Sequence, residues 1–341
     1  MCSIYGITAV QCEANCPGGY MCKVGQIPGY CECPPPEPEC GNGILEGDEE
    51  CEVGYPCPEG FNCVDCKCIK ETELVDFDDP NTFGDSVVRQ EIDGTGKYRY
   101  IINGDTTLVG GKIYNVPASS PAIEINCSDC TLDCNGSTIN GTGTGAGIEN
   151  NGFDNVTVRN CIVTNYGLRI YSYAADYGVI KYNNVSNNND DGIYIHSSLN
   201  NQLIDNVVNL NSDCGIYLRS SSKNNITNNT ALNCSIGIDL TTSSENILIE
   251  NNASYCNSGI RLLRTCSKNT VVNNTAQENK YEDIAVSADS DSYCNNIIQN
   301  NTGSDNRPIL YYNFTINISN NQNISELILC NADNSNINNI T

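Results

Sequence analysis

Asp191-Gly192-Ile193-Tyr194-Ile195 recurs as Cys214-Gly215-Ile216-Tyr217-Leu218, Ile236-Gly237-Ile238-Asp239-Leu240 and Ser258-Gly259-Ile260-Arg261-Leu262, with a degraded copy at Glu282-Asp283-Ile284-Ala285-Val286. Positions 192, 215, 237, 259 and 283 are separated by 23, 22, 22 and 24 residues. A fixed period in this range marks a solenoid, in which one supersecondary unit stacks on the next. Within each copy apolar and polar residues alternate, the period of a half-buried strand. Ile216 and Leu218 therefore face inward, and Tyr217 and Arg219 outward.

A second short apolar stretch follows each copy, as in Leu203-Ile204, Ile247-Leu248-Ile249 and Val271-Val272. Asn pairs come next: Asn183-Asn184, Asn228-Asn229, Asn251-Asn252, Asn273-Asn274 and Asn300-Asn301. No helix-period run of useful length lies between these pieces. Short strands joined by Asn, Gly and Ser turns predict an all-β parallel β-helix, its coils one strand spacing, roughly 4.8 Å, apart. Asn tolerates the left-handed backbone that sharp corners need and can pair its side-chain amide from coil to coil. Asn184, Asn206, Asn229, Asn252, Asn274 and Asn301 are assigned to one such column. A structural ladder and a ligand-binding column are both open readings of it.

Residues from about 97 to 341 resemble the right-handed parallel β-helix repeats of the pectin-lyase-like superfamily, nearest its copper-maturation and surface-protein branch. Cys130-Thr131-Leu132-Asp133-Cys134-Asn135-Gly136-Ser137-Thr138-Ile139 is similar to that branch's first coil, and Asn155-Val156-Thr157-Val158-Arg159-Asn160-Cys161 to its second. The resemblance implies the fold and leaves function open, because the superfamily hosts lyases, hydrolases, adhesins and structural fibres. Hydrolases of the fold use clustered Asp with a nearby His, Arg and Lys. Asp190 and Asp191 with His196, the single histidine, are the candidate catalytic residues on that pattern. The hydrolases' Gly-His-Gly and Arg-Ile-Lys segments are absent, and paired carboxylates before a strand also suit a solvated turn. For a lyase, Asp239 with Arg219 and Arg261 has the right residue types, which an outer-face ion-pair ladder explains equally. Tyr194 and Tyr217, with Tyr171, occupy one outward position in successive coils, where they pack the outer face or bind sugar rings. Copper, the resemblance's other implication, has few donors: two Met, one His, and cysteines expected to be oxidised.

The 22 cysteines divide into 12 before residue 69 and 10 after residue 126. That density implies disulfides and an extracellular or cell-surface location. Cys2, Cys12, Cys16, Cys22, Cys31 and Cys33 form one six-cysteine block, and Cys40, Cys51, Cys57, Cys63, Cys66 and Cys68 a second. Cys16-Pro17-Gly18-Gly19-Tyr20-Met21-Cys22 aligns with Cys57-Pro58-Glu59-Gly60-Phe61-Asn62-Cys63, a duplication of one small module too short to rest on an apolar core. The second block opens on Cys40-Gly41-Asn42-Gly43 and resembles modules found on microbial surface proteins. Its Glu46, Asp48, Glu49 and Glu50 are a solvated acidic loop or Ca²⁺ ligands. The expected organisation is 1–39 and 40–69 for the modules, 70–96 for an acidic and Gly-rich transition, and 97–341 for the β-helix. Cys234 and Cys256 both stand three residues before a repeat glycine, so they should stack and are expected to form a disulfide.

A net charge of −24 disfavours nucleic acid and anionic membranes as partners. No 18-residue apolar run offers a membrane span. The start lacks a signal-peptide pattern, and the last repeat stops without a polar cap; the natural protein is expected to be longer or its end covered by another subunit. Of fifteen Asn-x-Ser/Thr sites from Asn126 onward, Asn126, Asn155, Asn225, Asn313, Asn317 and Asn323 are the candidate glycan acceptors. Together these readings predict an extracellular structural or adhesive cell-surface protein that assembles with itself or other surface proteins and contacts glycans. The alternative is a polysaccharide lyase or hydrolase with a non-standard site. A carboxylate held protonated in an outer-face groove would favour the enzyme.

Overall fold

The computed structural model describes residues 74–339 except 93–95, 117–120 and 320–322, and four strands nearer the N-terminus. Two compact units divide at Glu71 and Thr72. In the first, Lys23–Val24 pairs antiparallel with Cys31–Glu32, and Phe61–Val64 with Lys67–Lys70. Glu46, Asp48, Glu49 and Glu50 lie outside the described residues.

The second unit is the parallel β-helix, about ten turns long. One sheet has ten strands from Val87–Glu91 to Glu282–Ala288, and a second has nine from Thr106–Thr107 to Ile297–Gln299. A three-stranded sheet of Ile113–Asn115, Thr138–Asn140 and Ile162–Thr164 continues as single bridges at Asn184, Val207, Thr230, Asn252, Thr275 and Thr302. Register is strict: Ile170, Ile193, Ile216, Ile238, Ile260 and Ile284 stack in one interior column. Leu203, Ile226, Leu248 and Val271 stack in another. All are buried, and each fully buried aliphatic chain stabilises by about 1.5–3 kcal/mol. At the N-terminal end the strand Val87–Glu91 runs antiparallel to Tyr98–Ile102. Phe77 stacks on Tyr100 at 3.7 Å beneath it, and the Tyr100 hydroxyl donates to the Phe77 carbonyl. No described helix is long and apolar enough to cross a membrane.

Corners explain the Asn-rich composition. A middle coil turns at Ser220, Lys223, Asn228 and Asn233, all with φ between 51° and 62°. Each of these left-handed residues is followed by a buried polar one: Ser221, Asn224, Asn229 and Cys234. The buried residue bonds the next coil. Asn206 donates its backbone N–H to Asn229 Oδ1 at 3.0 Å, and Asn229 donates to Asn251 Oδ1 at 2.9 Å. This column runs Asn183, Asn206, Asn229, Asn251, Asn274, Asn301. Asn184 and Asn252 are thus displaced by one from the expected column, because the left-handed corner residues there are Tyr182 and Glu250. A second column, Asn201, Asn224, Asn246, Asn269, Asn296, is built identically before the next strand.

Cysteines substitute in these columns. Cys134 and Cys161 are joined by a disulfide with Cα atoms 4.7 Å apart, and the Cys161 N–H continues onto Asn183 Oδ1. Cys127–Cys130 and Cys294–Cys330 are also bonded. The expected Cys234–Cys256 bridge is corrected: the two residues stack, and both are free thiols. The Cys234 N–H donates to Cys256 Sγ at 3.4 Å, while their S–H groups donate to the Val208 and Ala231 carbonyls. Each thiol therefore does what an Asn amide does one rung away, where Asn279 Nδ2 donates to the Ala253 carbonyl.

Candidate functional site

Outward residues of the ten-stranded sheet align with the same strictness as inward ones. Glu124, Glu149, Tyr171, Tyr194, Tyr217, Asp239 and Arg261 occupy one column. Tyr173, His196 and Arg219 occupy the next. Tyr194 lies 4.8 Å from Tyr217 at 11° and 5.2 Å from Tyr171 at 35°. His196 stacks on Tyr194 at 5.5 Å and meets Tyr173 edge-on. The faces of Tyr194 are accordingly taken by protein neighbours, and Tyr171 is an end ring of the stack.

A pocket of about 320 Å³ opens at that end, lined by Pro121, Gly145, Leu168 and Glu149, with Tyr171 and Asp190. Glu149 is half-buried, and burial followed by repulsion from Glu124 pushes its carboxyl above the usual range, partly offset by Arg99. Arg99 itself is paired with Glu124 at 2.8 Å. No hydrogen bond ties the Glu149 carboxylate to another described residue. Asp190 is raised by burial and then by Asp213, with Arg169 acting the other way.

The three sequence-based catalytic candidates separate. Asp190 reaches the pocket. Asp191 is buried and accepts the Cys214 N–H at 3.0 Å, and burial pushes its carboxyl up to about 6. His196 sits among the tyrosines, its pKa lowered by burial and then by Arg219, with no carboxylate acting on it. No ring contact or hydrogen bond joins His196 to Asp190 or Asp191 among the described residues. Asp239 forms an ion pair with Arg261, the simpler of its two readings.

Two site residues were invisible in the repeat phrase. Glu149 precedes the recognisable copies. Arg169 stands in register with the repeat glycine, one place before Ile170, which pairs with Ile193. The glycine is required elsewhere, because a Cβ at Gly215 would lie 2.7 Å from the Gly237 carbonyl and 2.8 Å from Ala231. Arg169 is 1% exposed; Nη1 donates to the Asp191 carbonyl, and Nε and Nη2 have no partner. Aligning coils one turn earlier would have flagged it.

Of the candidate acceptors, Asn126, Asn155, Asn317 and Asn323 are exposed, and Asn225 and Asn313 half-buried. The Asn126 and Asn155 amides are engaged with Asn103 and Asp129. For metals, Asp191, Asp213 and Cys214 bring ligand atoms within 4.8 Å of one another. Burial and the surrounding carboxylates push the Cys214 thiol up, away from the thiolate a soft ion needs. Cys234, Cys256 and Cys266 donate to carbonyls, and His196 is ringed by tyrosines. These donors do not make a copper site among the described residues.

The chain is similar to the Dettilon tailspike protein at 16% identity and a TM-score of 0.46, over 68% of this chain and 61% of that one. It is similar to the periplasmic alginate epimerase AlgG at 17% and 0.41, over 70% and 61%. Against the Azotobacter vinelandii mannuronan C-5 epimerase AlgE4 A-module the values are 16% and 0.42, over 70% and 81%. The chain thus spans about three fifths of the first two structures. No curated protein matches. The model of the family described as periplasmic copper-binding protein (NosD) matches residues 84–293. On that match, with the β-helix that carries it, the chain belongs to the NosD family.

Proposed function

We propose that the chain is an extracellular structural or adhesive cell-surface protein whose β-helix is a rigid support for a glycan-docking face. The observation that carries this reading is the aromatic stack ending on an open pocket: a sugar ring placed against Tyr171 continues the stack, with Glu149 and Asp190 available as hydrogen-bond acceptors. The polar columns support the structural half, since their Asn, Ser and Cys groups are engaged from coil to coil. Self-assembly, or assembly with other surface proteins, belongs to the same proposal. Copper is not carried over from the family's name.

The test is glycan binding and assembly state on one preparation, by glycan array and by light scattering with electron microscopy. Glycan binding weakened by Tyr171→Ala supports docking, and ordered polymers support assembly. A monomer that binds no glycan removes both. A second reading, a polysaccharide lyase or hydrolase with a non-standard site, is favoured by the raised carboxyls of Glu149 and Asp190 at the pocket. Viscometry on polysaccharide solutions decides it: a fall in viscosity that Glu149→Gln abolishes establishes the enzyme.

A further inference from the structure

The pocket at the end of the tyrosine stack differs in character from the rest of the outer face. Beyond it the column holds Tyr194 and Tyr217, then Asp239 already paired with Arg261. On its other side the column holds Glu149 and Glu124, and Asp190 lines the pocket from an adjoining turn. Two nearby cations are committed, Arg99 on Glu124 and Arg169 buried on the Asp191 carbonyl, while Arg219 is exposed and stands three coils along from Glu149. Glu149 is the group left over, a half-buried carboxylate facing a cavity without a hydrogen-bond partner, beside an aromatic ring.

We infer that this pocket is a subsite for a sugar bearing a free amino group, with the pyranose ring against Tyr171 and its ammonium on Glu149. The inference rests on the glycan-docking reading and adds the substrate class. An ammonium supplies three donors to a carboxylate that no described residue bonds, and a positive charge beyond the partial compensation from Arg99. A uronate would bring a second negative charge beside Glu149, Glu124 and Asp190, which like-charge repulsion opposes. A neutral N-acetylated sugar can stack on the ring but leaves the carboxylate without its counter-charge. Burial raises the Glu149 carboxyl first and repulsion from Glu124 second, and only the latter bears on the local excess of negative charge.

The experiment is calorimetric titration of the full chain at physiological salt with three disaccharides: one of glucosamine, its N-acetylated counterpart, and one of a uronic acid. Small probes are needed because a chain of net charge −24 attracts any polycation. The expected result is binding about tenfold tighter for the amine than for the acetylated sugar, from one charge-assisted hydrogen bond, and no uronate binding. Glu149→Gln should remove the amine preference, Glu149→Asp should keep it, and Glu250→Gln on a remote exposed corner should change nothing. Uronate binding as tight as the amine's, or an amine preference that survives Glu149→Gln, overturns the inference. If the acetylated sugar binds, depends on Tyr171 and shows no deficit against the amine, the charge inference fails while glycan docking stands. If none of the three binds, both fail.

Discussion

Asn229 and Tyr194 are both repeated at one strand spacing, yet they belong to opposite kinds of column. Asn229 is buried, and its amide is engaged by the coils on both sides. Tyr194 is half-exposed, and its contacts are ring against ring. Repetition alone therefore says little about function. What separates a girder from a docking row is whether the repeated group has partners left to find. By that measure the corners are closed, and the outer face is open at Tyr171 and Glu149.

The largest expected effect is on the closed side. Asn229→Ala strips the acceptor from the Asn206 N–H and amide and the donor from the Leu203 carbonyl. At about 1–3 kcal/mol for each buried group left unpaired, the cost of three is at least about 3 kcal/mol, measured by denaturant unfolding. A loss under about 1 kcal/mol would show that the column is ornamental and break the comparison.

Next is Asp191. Its folded pKa of about 6 lies above the usual carboxylate value, so the native state holds the proton more tightly than the unfolded chain. The associated stability is fully present below about pH 4 and is lost as pH rises through about 6, a difference of about 3 kcal/mol at neutral pH. Glu326, raised to about 7 chiefly by burial, extends the same slope upward. Asp191→Asn keeps an acceptor for the Cys214 N–H and should flatten the Asp191 part of the curve. Equal pH slopes for the two proteins would contradict the assignment.

Arg169 tests the comparison from inside the frame, since it is a buried group that is not satisfied. Arg169→Met fills similar volume without two orphaned donors and is expected to be neutral or stabilising by about 2 kcal/mol, read as a rise in Tm. A marked fall would mean that its charge holds Asp190 and Asp191 in place. The smallest effect is on the open side: Tyr194→Ala should cost about 1 kcal/mol, the value of an aromatic pair, while weakening any glycan that uses the stack. A cost rivalling that of Asn229→Ala would make the tyrosines a second girder.

Much of this was legible. The glycine-anchored period, the inward Ile and Leu columns and the outward tyrosines all follow from spacing, because a strand's two faces alternate strictly. The register of the Asn column was legible only to within one residue. The buried Asn is defined by the left-handed residue before it, and that residue is Tyr182 in one coil and Glu250 in another. The second column was missed because Asn224, Asn246 and Asn269 precede a strand behind Lys223, Glu245 and Lys268, which do not announce a turn. Spacing also foresaw that Cys234 and Cys256 would stack, but not that each S–H would take an amide's place on a carbonyl. Glu149 and Arg169 escaped notice because they lie in coils whose phrase has diverged; they are visible only once register is known.

The left-handed corners have a further consequence. A buried residue follows each corner, and the corner position itself holds Tyr182, Leu210, Lys223, Glu245, Glu250 or Thr242 as well as Asn. Some corner side chains still bond from coil to coil, as Asn228 does to Asp205 and Asn155 to Asp129. Elsewhere the rim can drift in charge and chemistry, toward the −24 this chain carries or away from it, while the buried rung beneath keeps its partners. A lineage built on such a frame can change what its surface meets far faster than it changes its shape.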